Sequence, residues 1–133
     1  MIIDTELSNF YLNTIKDFKN KCSLYIPYKS EIEKIALKKG FSIIYEVFVD
    51  RNYNDDLTLV DRNNKDAIIN EPLDGVDHVM RMVKKNQVKT ISGNLRNIKA
   101  ETICIHGDQN NAIDFAKNIS IELSKIGHYE KKF

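Results

Sequence analysis

Several residue types that mark particular classes of protein are scarce in this 133-residue chain. It has no tryptophan, two cysteines, two prolines and five glycines. Cys22 and Cys104 are too few for a disulfide framework, and they lack the spacing of metal ligands. We therefore expect two reduced thiols in a cytoplasmic protein, and no metal ligand is predicted.

The sequence also lacks long apolar runs and an excess of either charge. No run of about 18 apolar residues is present, which argues against a transmembrane helix. Acidic residues follow closely after Met1, which is atypical of a signal peptide. Lysine and arginine total 20 and aspartate and glutamate 19, giving a formal net charge of +1. Because steering of nucleic acid or an anionic membrane needs a strong field, neither partner is expected.

The composition that is present fits one small globular domain. Hydrophobic residues make up 42% of the chain and charged residues 29%, a balance typical of folded chains that bury a core. The length is enough for one such core, and no internal repeat or low-complexity segment interrupts it. We expect residues 1–133 to form a single domain.

Apolar residues recur at three- and four-residue spacing in four segments, and this spacing predicts helices. The first helix is expected to begin near Asp4, and the others to cover about 29–39, 72–85 and 111–126. Ser30 is the expected N-cap of the second helix, because serine side chains accept a hydrogen bond from the first helical turn.

Short segments rich in β-branched and aromatic residues predict strands over 23–26, 42–49 and 102–105. A hairpin is expected over 87–98. Because strands and helices alternate along the chain, the fold class is α/β with a parallel sheet and a small β-hairpin insertion. The polar stretch 50–64 lacks periodicity and is expected to be a loop with a role in binding.

Polar residues follow two of the predicted strands directly. Asp50 and Arg51 come after the second strand, and His106, Gly107 and Asp108 come after the last one. Because ligands bind at the carboxyl ends of the strands in open parallel sheets, we expect both groups to line one site.

Strand alternation places Glu46 on the same face as Asp50, and Cys104 on the same face as His106. A partly buried glutamate has a raised pKa, and histidine titrates near neutral pH, so both residue types suit proton transfer. Gly107 allows a close approach of backbone to a ligand, and the helix after it offers free N–H groups to an anion.

Each of these residues also has a structural alternative. Glu46 can pair with Arg51 or Arg62, Asp108 can cap the last helix, and His106 can bond to backbone at a strand end. Tyr53 can pack in the core instead of touching a ligand. The residues alone leave these alternatives open.

Three segments taken together resemble the LamB/YcsF family. They are EVFVDRNYNDDLTLVDR from Glu46, VMRMVKKNQV from Val79 and ETICIHGD from Glu101. Leu57 stands where the family has glycine, so the loop there is expected to follow a different path. Members of the family are about twice as long and carry D-L-N-x-D-x-G-E and K-P-H-G segments that do not occur here. The chain therefore resembles the C-terminal half of a family member.

The resemblance implies a partial (β/α) barrel of the glycoside hydrolase and deacetylase type. The implied activity is that of the A subunit of 5-oxoprolinase, the ATP-dependent opening of 5-oxo-L-proline to L-glutamate. It implies ATP with Mg as cofactor, and subunits B and C, together with a separate N-terminal half, as partners. Activity of this chain alone is not expected. The alternatives are an inactive remnant that binds such a half or subunits B and C, and an unrelated small α/β metabolic enzyme.

The chemistry of this reaction, and not the family name, suggests hypotheses for the roles of individual residues at the strand ends. The candidates for catalysis are Glu46, Asp50, His106 and Asp108. The candidates for substrate binding are Arg51, Tyr53, Arg62 and Gly107, with Arg51 holding the substrate carboxylate through a bidentate contact.

Overall fold

The computed structural model describes residues 4–127, and they fold in the order that the sequence predicts. The elements are α1 (Thr5–Thr14), a 3₁₀-helix (Lys16–Phe18), β1 (Ser23–Ile26), α2 (Glu31–Lys38), β2 (Ser42–Phe48), α3 (Pro72–Lys85), β3 (Gln87–Lys89), β4 (Leu95–Asn97), β5 (Thr102–Cys104) and α4 (Ala112–Lys125). The predicted helices, strands and hairpin are confirmed, with ends that shift by one or two residues except in the first helix. Its apolar spacing predicts a helix that includes Phe18, but α1 ends at Thr14 and a separate 3₁₀-helix follows.

Side-chain caps fix the starts of the first two helices. The Asp4 carboxylate accepts a hydrogen bond from the backbone N–H of Leu7 at 2.8 Å. Ser30 caps α2 by accepting from the N–H of Glu33 at 3.2 Å, and the Glu33 carboxylate in turn accepts from the N–H of Lys29. Such contacts satisfy N–H groups that the first turn of a helix leaves unpaired.

The three strands β1, β2 and β5 form a parallel sheet in the order β1–β2–β5. Tyr25 lies opposite Ile44, and Phe48 lies opposite Cys104. Strands β3 and β4 pair antiparallel in a separate hairpin, as the sequence predicts. The α/β class with a parallel sheet is therefore confirmed, while residues 4–127 form an open sheet and not a closed barrel.

The helices pack on one face of this sheet and divide the interior into two cores. The larger core joins β2 to α3, α4 and the hairpin through Val47, Val49, Tyr53, Leu57, Val76, Val79, Met80, Met82, Val88, Ile98, Phe115 and Ile119. The smaller core joins α1, α2 and β1 through Leu12, Ile26, Ile32, Ala36 and Phe41. Each fully buried side chain of this size contributes about 1.5–3 kcal/mol.

The opposite face of the sheet is bare of helices within residues 4–127. Because side chains alternate along a strand, this face carries the residues between the buried ones. We define the open face by Tyr25, Ile44, Glu46, Phe48 and Cys104. Tyr25 is 51% exposed, and the other four residues are half-buried. Phe48 also packs against the larger core, so the solvent-exposed apolar part of this face is centred on Tyr25.

The long segment between β2 and α3 folds around the buried side chain of Arg51. Its guanidinium donates from Nη2 to the carbonyl of Val60 at 2.7 Å and from Nε to the carbonyl of Ala67 at 3.4 Å. His78 of α3 contacts the carbonyl of Arg51 through Nε2 at 3.1 Å. The predicted loop is therefore an ordered structure with its own buried polar centre.

A carboxylate in the same segment fastens it to the hairpin. Asp55 accepts hydrogen bonds from the hydroxyl of Thr90 at 2.6 Å, the hydroxyl of Ser92 at 2.9 Å and the amide of Asn94 at 2.9 Å. These bonds, led by that of Thr90, lower the pKa of Asp55. The hairpin insertion thus holds the loop that follows β2.

Replacement of Gly75 by alanine is expected to destabilise the fold. A Cβ at this position would lie 2.2 Å from Cε1 of Phe115 and 3.0 Å from the carbonyl oxygen of Val49, so α3 would be pushed away from α4 and β2. We expect Gly75→Ala to lower the free energy of unfolding by about 1–3 kcal/mol, as measured by urea denaturation. Gly107→Ala is the control, because its Cβ would meet no heavy atom within 4 Å. Equal stability of the two variants would contradict the described helix packing.

His78 is expected to make the stability depend on pH. Burial lowers the pKa of His78 from 6.5 to about 4, so the unfolded chain takes up this proton before the folded one does. The free energy of unfolding should therefore fall as the pH drops from about 6.5 to about 4.

The variant His78→Gln isolates this effect, because glutamine keeps an N–H donor for the Arg51 carbonyl and does not titrate. The stability of the wild type relative to this variant should decline by up to about 3 kcal/mol over that pH range. Urea denaturation at several pH values measures the difference, and a difference that does not change with pH would show that His78 titrates equally in both states.

Candidate functional site

A buried carboxylate with three hydrogen-bond donors lies where β2 ends. Asp50 is fully buried, and its Oδ2 accepts from the backbone N–H of His106 at 3.0 Å and from Nε2 of Gln109 at 2.9 Å. Nδ1 of His106 lies 2.9 Å from both carboxylate oxygens. We call Asp50, His106 and Gln109 the Asp50 cluster.

The pairing of β2 with β5 brings the cluster together. Phe48 lies opposite Cys104, and the N–H of Val49 donates to the carbonyl of Cys104 at 3.2 Å, so Asp50 and His106 leave neighbouring strands at the same level. The rings of Phe48 and His106 stack with centroids 5.6 Å apart. The predicted meeting of the two strand ends is thus seen in the structure.

The geometry of the Asp50 cluster fixes which nitrogen of His106 carries hydrogen. A carboxylate only accepts hydrogen bonds, so Nδ1 is the protonated nitrogen in the neutral ring. Within residues 4–127, Nε2 makes no hydrogen bond, and the side chain of His106 is 24% exposed. A carboxylate on one ring nitrogen and a free lone pair on the other is the arrangement of a general base.

Glu46 and Cys104 extend this polar surface along the open face. The two side chains interact, and burial, followed by Glu46 and Asp50, raises the pKa of the Cys104 thiol to about 11. Because the thiolate is the reactive form, Cys104 is not a nucleophile near neutral pH. Glu46 is therefore the ionisable group of the open face that lies beside the Asp50 cluster.

Gly107 and Asp108 lie past the end of β5 and are exposed. Asp108 does not cap the last helix, because the residue at the N-cap of α4 is Asn111. The Asn111 amide donates instead to the carbonyl of Asn70 at 2.7 Å, which ties the start of α4 to the loop before α3. The capping alternative for Asp108 is therefore wrong, and its carboxylate is exposed beside the Asp50 cluster.

The structure separates three predicted substrate-binding residues from the open face. Arg51 bonds to the loop carbonyls, and burial, followed by the charge of Arg62, lowers its pKa. Tyr53 is 3% exposed within the larger core, its hydroxyl oxygen accepts from the N–H of Phe48 at 2.9 Å, and burial raises its pKa. Arg62 lies exposed in the loop. The placement of Arg51 and Tyr53 departs from the prediction because both side chains turn toward the loop and the core.

The structural alternative for Glu46, a pairing with Arg51 or Arg62, is absent, since no ion pair joins Glu46 to either residue among the described residues. Sequence reasoning missed Gln109 altogether. Its contact with Asp50 depends on the turn over 107–111, and no spacing rule for helices or strands covers that turn.

Two further kinds of feature are absent from residues 4–127. No group of three or more histidine, cysteine, aspartate or glutamate side chains is placed to hold a metal ion in this part of the chain. None of the helices described is long and apolar enough to span a membrane. The Asp50 cluster and the open face are therefore the chemically distinctive features of the described fold.

These features define an α/β protein with an acid–base cluster at the carboxyl edge of an open parallel sheet. The model of the LamB/YcsF family matches residues 1–133. The chain belongs to the LamB/YcsF family.

Individual relatives agree with this assignment. The chain is 43% identical over 96 residues to the 5-oxoprolinase A subunit of Alkaliphilus metalliredigens, covering 72% of this chain and 38% of that protein. It is 35% identical over 122 residues to the 5-oxoprolinase A subunit of Haemophilus influenzae, covering 92% of this chain and 50% of that protein.

A solved structure shows the same fold. The lactam utilization protein of Thermus thermophilus superimposes with a TM-score of 0.83 at 25% identity, covering 95% of this chain and 50% of that one. The chain thus spans half or less of the length of each of these three proteins.

Replacement of Asp50 by asparagine is expected to disturb the His106 ring. Asparagine has nearly the same shape, but its side-chain amide includes an N–H donor. This donor would face the N–H groups from which the carboxylate now accepts hydrogen bonds. We expect a loss of about 1–3 kcal/mol in the free energy of unfolding and a mixture of ring tautomers in place of one. Nitrogen-15 NMR of the imidazole measures the tautomers, and Asp114→Asn, at an exposed position of α4, is the control. A single unchanged tautomer in Asp50→Asn would show that Asp50 does not orient the ring.

Proposed function

We propose that this chain is part of the A subunit of a 5-oxoprolinase and that its role is proton transfer during the opening of 5-oxo-L-proline to L-glutamate. The relatives named as A subunits of 5-oxoprolinase support the reaction class. The observation that carries the residue assignment is the contact between the buried Asp50 carboxylate and Nδ1 of His106 at 2.9 Å, with Nε2 left free to accept a proton.

The chemistry of the ring opening requires such a base. Water adds to the carbonyl carbon of the lactam while one of its protons passes to Nε2 of His106. The bond between that carbon and the ring nitrogen then breaks, and the nitrogen takes up a proton as it becomes the amine of glutamate. Asp50 stabilises the imidazolium that forms in between, and Gln109 holds Asp50 in place.

Glu46 and Asp108 are the remaining ionisable groups beside this path. Glu46 is half-buried on the open face, where a carboxyl group can hand a proton to the leaving nitrogen. Asp108 is exposed at the carboxyl edge, where it can orient the attacking water. None of the five residues that define the open face is a cation, and in this proposal the groups that bind the carboxylate of the substrate lie in another part of the enzyme.

ATP and its Mg ion belong to the assembled enzyme in this proposal. A lactam is a poor electrophile, and transfer of the γ-phosphoryl group of ATP to its amide oxygen would activate the carbon that water attacks. Ring opening would then leave an acyl phosphate, which a second water would hydrolyse to glutamate and phosphate. We assign the groups that hold ATP and Mg to the rest of the A subunit or to subunits B and C as part of this proposal.

Replacement of His106 by asparagine tests the proposal. The assay is ATP-dependent formation of glutamate from 5-oxoproline by this chain combined with the other half of the A subunit, with subunits B and C present. We expect His106→Asn to lower the turnover number by about 10²–10⁴, the usual contribution of a general base. Urea denaturation checks that the variant is folded under the assay conditions, because the His106 ring also contacts the buried Asp50 carboxylate. Asp114→Asn should retain the wild-type rate. Wild-type turnover by His106→Asn would remove His106 from the mechanism.

A binding function is the second candidate, and the bare open face favours it. A protein that only binds a partner through this surface would need the same exposed residues but would have no catalytic activity. The two functions use different residues of the structure, so variants can separate them.

A further inference from the structure

The Asp50 carboxylate fixes one atom of the His106 ring but not the plane in which the ring lies. Nδ1 of His106 lies 2.9 Å from both carboxylate oxygens of Asp50. A contact at a single ring nitrogen allows the imidazole to tilt about the line that joins it to the carboxylate. Because the lone pair of Nε2 lies in the ring plane, such a tilt changes the direction from which Nε2 accepts a proton. A second contact is needed to fix that direction.

The ring of Phe48 supplies this second contact. It lies nearly parallel to the ring of His106, with an angle of 18° between the planes and 5.6 Å between the centroids, which is a favoured arrangement of two aromatic rings. A stacked ring restrains the tilt of its neighbour, because a tilt brings atoms too close on one side and loses contact on the other. Asp50 therefore fixes the position of Nδ1, and Phe48 fixes the ring plane.

The backbone of Phe48 lies where the sheet loses its third strand. The N–H of Val49 donates to the carbonyl of Cys104 in β5, so the N–H of Phe48 points to the other side of β2, toward β1. The pairing of β1 ends at Ile26, which lies opposite Tyr45. The N–H of Phe48 therefore lies beyond the paired length of β1 and needs an acceptor from elsewhere.

The hydroxyl of Tyr53 takes the place of the strand partner. Its oxygen accepts from the N–H of Phe48 at 2.9 Å, and the ring of Tyr53 is buried in the larger core. The carbonyl of Tyr53 accepts in turn from the N–H of Ile91 in the hairpin at 2.9 Å. A continuous series of contacts thus runs from the hairpin through Tyr53 and Phe48 to the ring of His106.

The stack also bears on the charge that His106 carries during proton transfer. An aromatic ring attracts a cation that lies over its face, and the His106 ring becomes an imidazolium when Nε2 takes up a proton. Phe48 therefore stabilises this imidazolium together with Asp50. An aliphatic side chain at position 48 would fill space but would lack the quadrupole of an aromatic ring.

We propose that Phe48 is a positioning residue that fixes the plane of the His106 ring and stabilises its imidazolium, and that the Tyr53 hydroxyl holds Phe48 in place. Phe48 exchanges no proton with the substrate and acts only through His106. The catalytic part of this inference rests on the proposed function, in which His106 is the general base. It also gives the buried Tyr53 a role that needs no contact with a ligand.

Nuclear magnetic resonance of the His106 ring tests the contact in this chain without substrate. The chain has three histidines, and comparison with His106→Asn assigns the signals. Phe48→Leu and Phe48→Met both remove the aromatic ring, and methionine adapts to irregular space if leucine disturbs the fold. We expect the carbon-bound ring protons of His106 to shift in both variants, because the ring current of Phe48 is lost. Phe48→Tyr keeps the ring and should keep the wild-type shifts.

Phe41→Leu is the matched control for lost packing. Phe41 is 4% exposed in the smaller core, so this variant loses aromatic packing of the same kind away from His106. We expect it to lower the stability in urea denaturation and to leave the His106 signals unchanged. Equal shifts in Phe41→Leu and Phe48→Leu, or wild-type shifts in both Phe48→Leu and Phe48→Met, would overturn the proposal.

The variant Tyr53→Phe tests the anchor. It keeps the ring in the core and removes only the hydroxyl that accepts from the N–H of Phe48. We expect the His106 signals to shift by a smaller amount than in Phe48→Leu. Signals identical to those of the wild type would show that Tyr53 takes no part in the positioning.

The turnover assay described for His106 tests the catalytic consequence. Phe48→Leu should lower the turnover number by about 2- to 30-fold, the range that corresponds to a cation–π contact, with little change in KM. Phe48→Tyr should retain the wild-type rate. In the His106→Asn background, Phe48→Leu should cause no further loss, because a residue that acts only through His106 then has nothing to position.

The outcomes separate this proposal from the proposed function. A wild-type turnover number in Phe48→Leu, or a further loss in the double variant, would refute the positioning role and leave His106 as the base. Wild-type turnover by His106→Asn would refute the proposed function, while the spectra of the Phe48 variants would still decide whether Phe48 and Tyr53 orient the ring.

Discussion

The site depends on a carboxylate held away from water between two neighbouring strands. An unpaired buried charge is strongly disfavoured, and Asp50 avoids this penalty only because His106 and Gln109 supply three hydrogen bonds. The parallel register of β2 with β5 brings these donors within reach. Any shift of one residue between these strands would turn one partner to the opposite face. The pairing of β2 with β5, the orientation of the His106 ring and the burial of the Asp50 charge therefore depend on one another.

Local rules predicted the elements of this fold well, for reasons that particular residues make clear. Ser30 and Asp4 cap helices where the sequence places them, since a cap is decided by contacts within a few residues. The apolar spacing of α3 predicts its bounds, and strand alternation correctly places Glu46 with Asp50 and Cys104 with His106. These patterns depend on periodicity along the chain, which a sequence displays directly.

The parts that sequence reasoning missed depend on contacts between distant segments. Arg51 was expected to hold a substrate carboxylate, but the carbonyls of Val60 and Ala67 turn toward it when the loop closes. Gln109 reaches Asp50 across 59 residues of sequence. A motif such as ETICIHGD identifies which residue types meet at a strand end, but the family pattern does not say which of them face the ligand and which support the loop.

Strand β2 shows how one segment serves both stability and chemistry. Val47 and Val49 are fully buried against the helices, while Glu46, Phe48 and Asp50 alternate with them toward the open face. Replacing the residues of the helix side would remove core packing, and replacing those of the other side would alter the site. The apolar side chains on the helix side of the sheet are buried within residues 4–127, because they belong to the two cores. The other side joins the Asp50 cluster to apolar side chains that solvent reaches, so one strand carries the core on one face and the candidate site on the other.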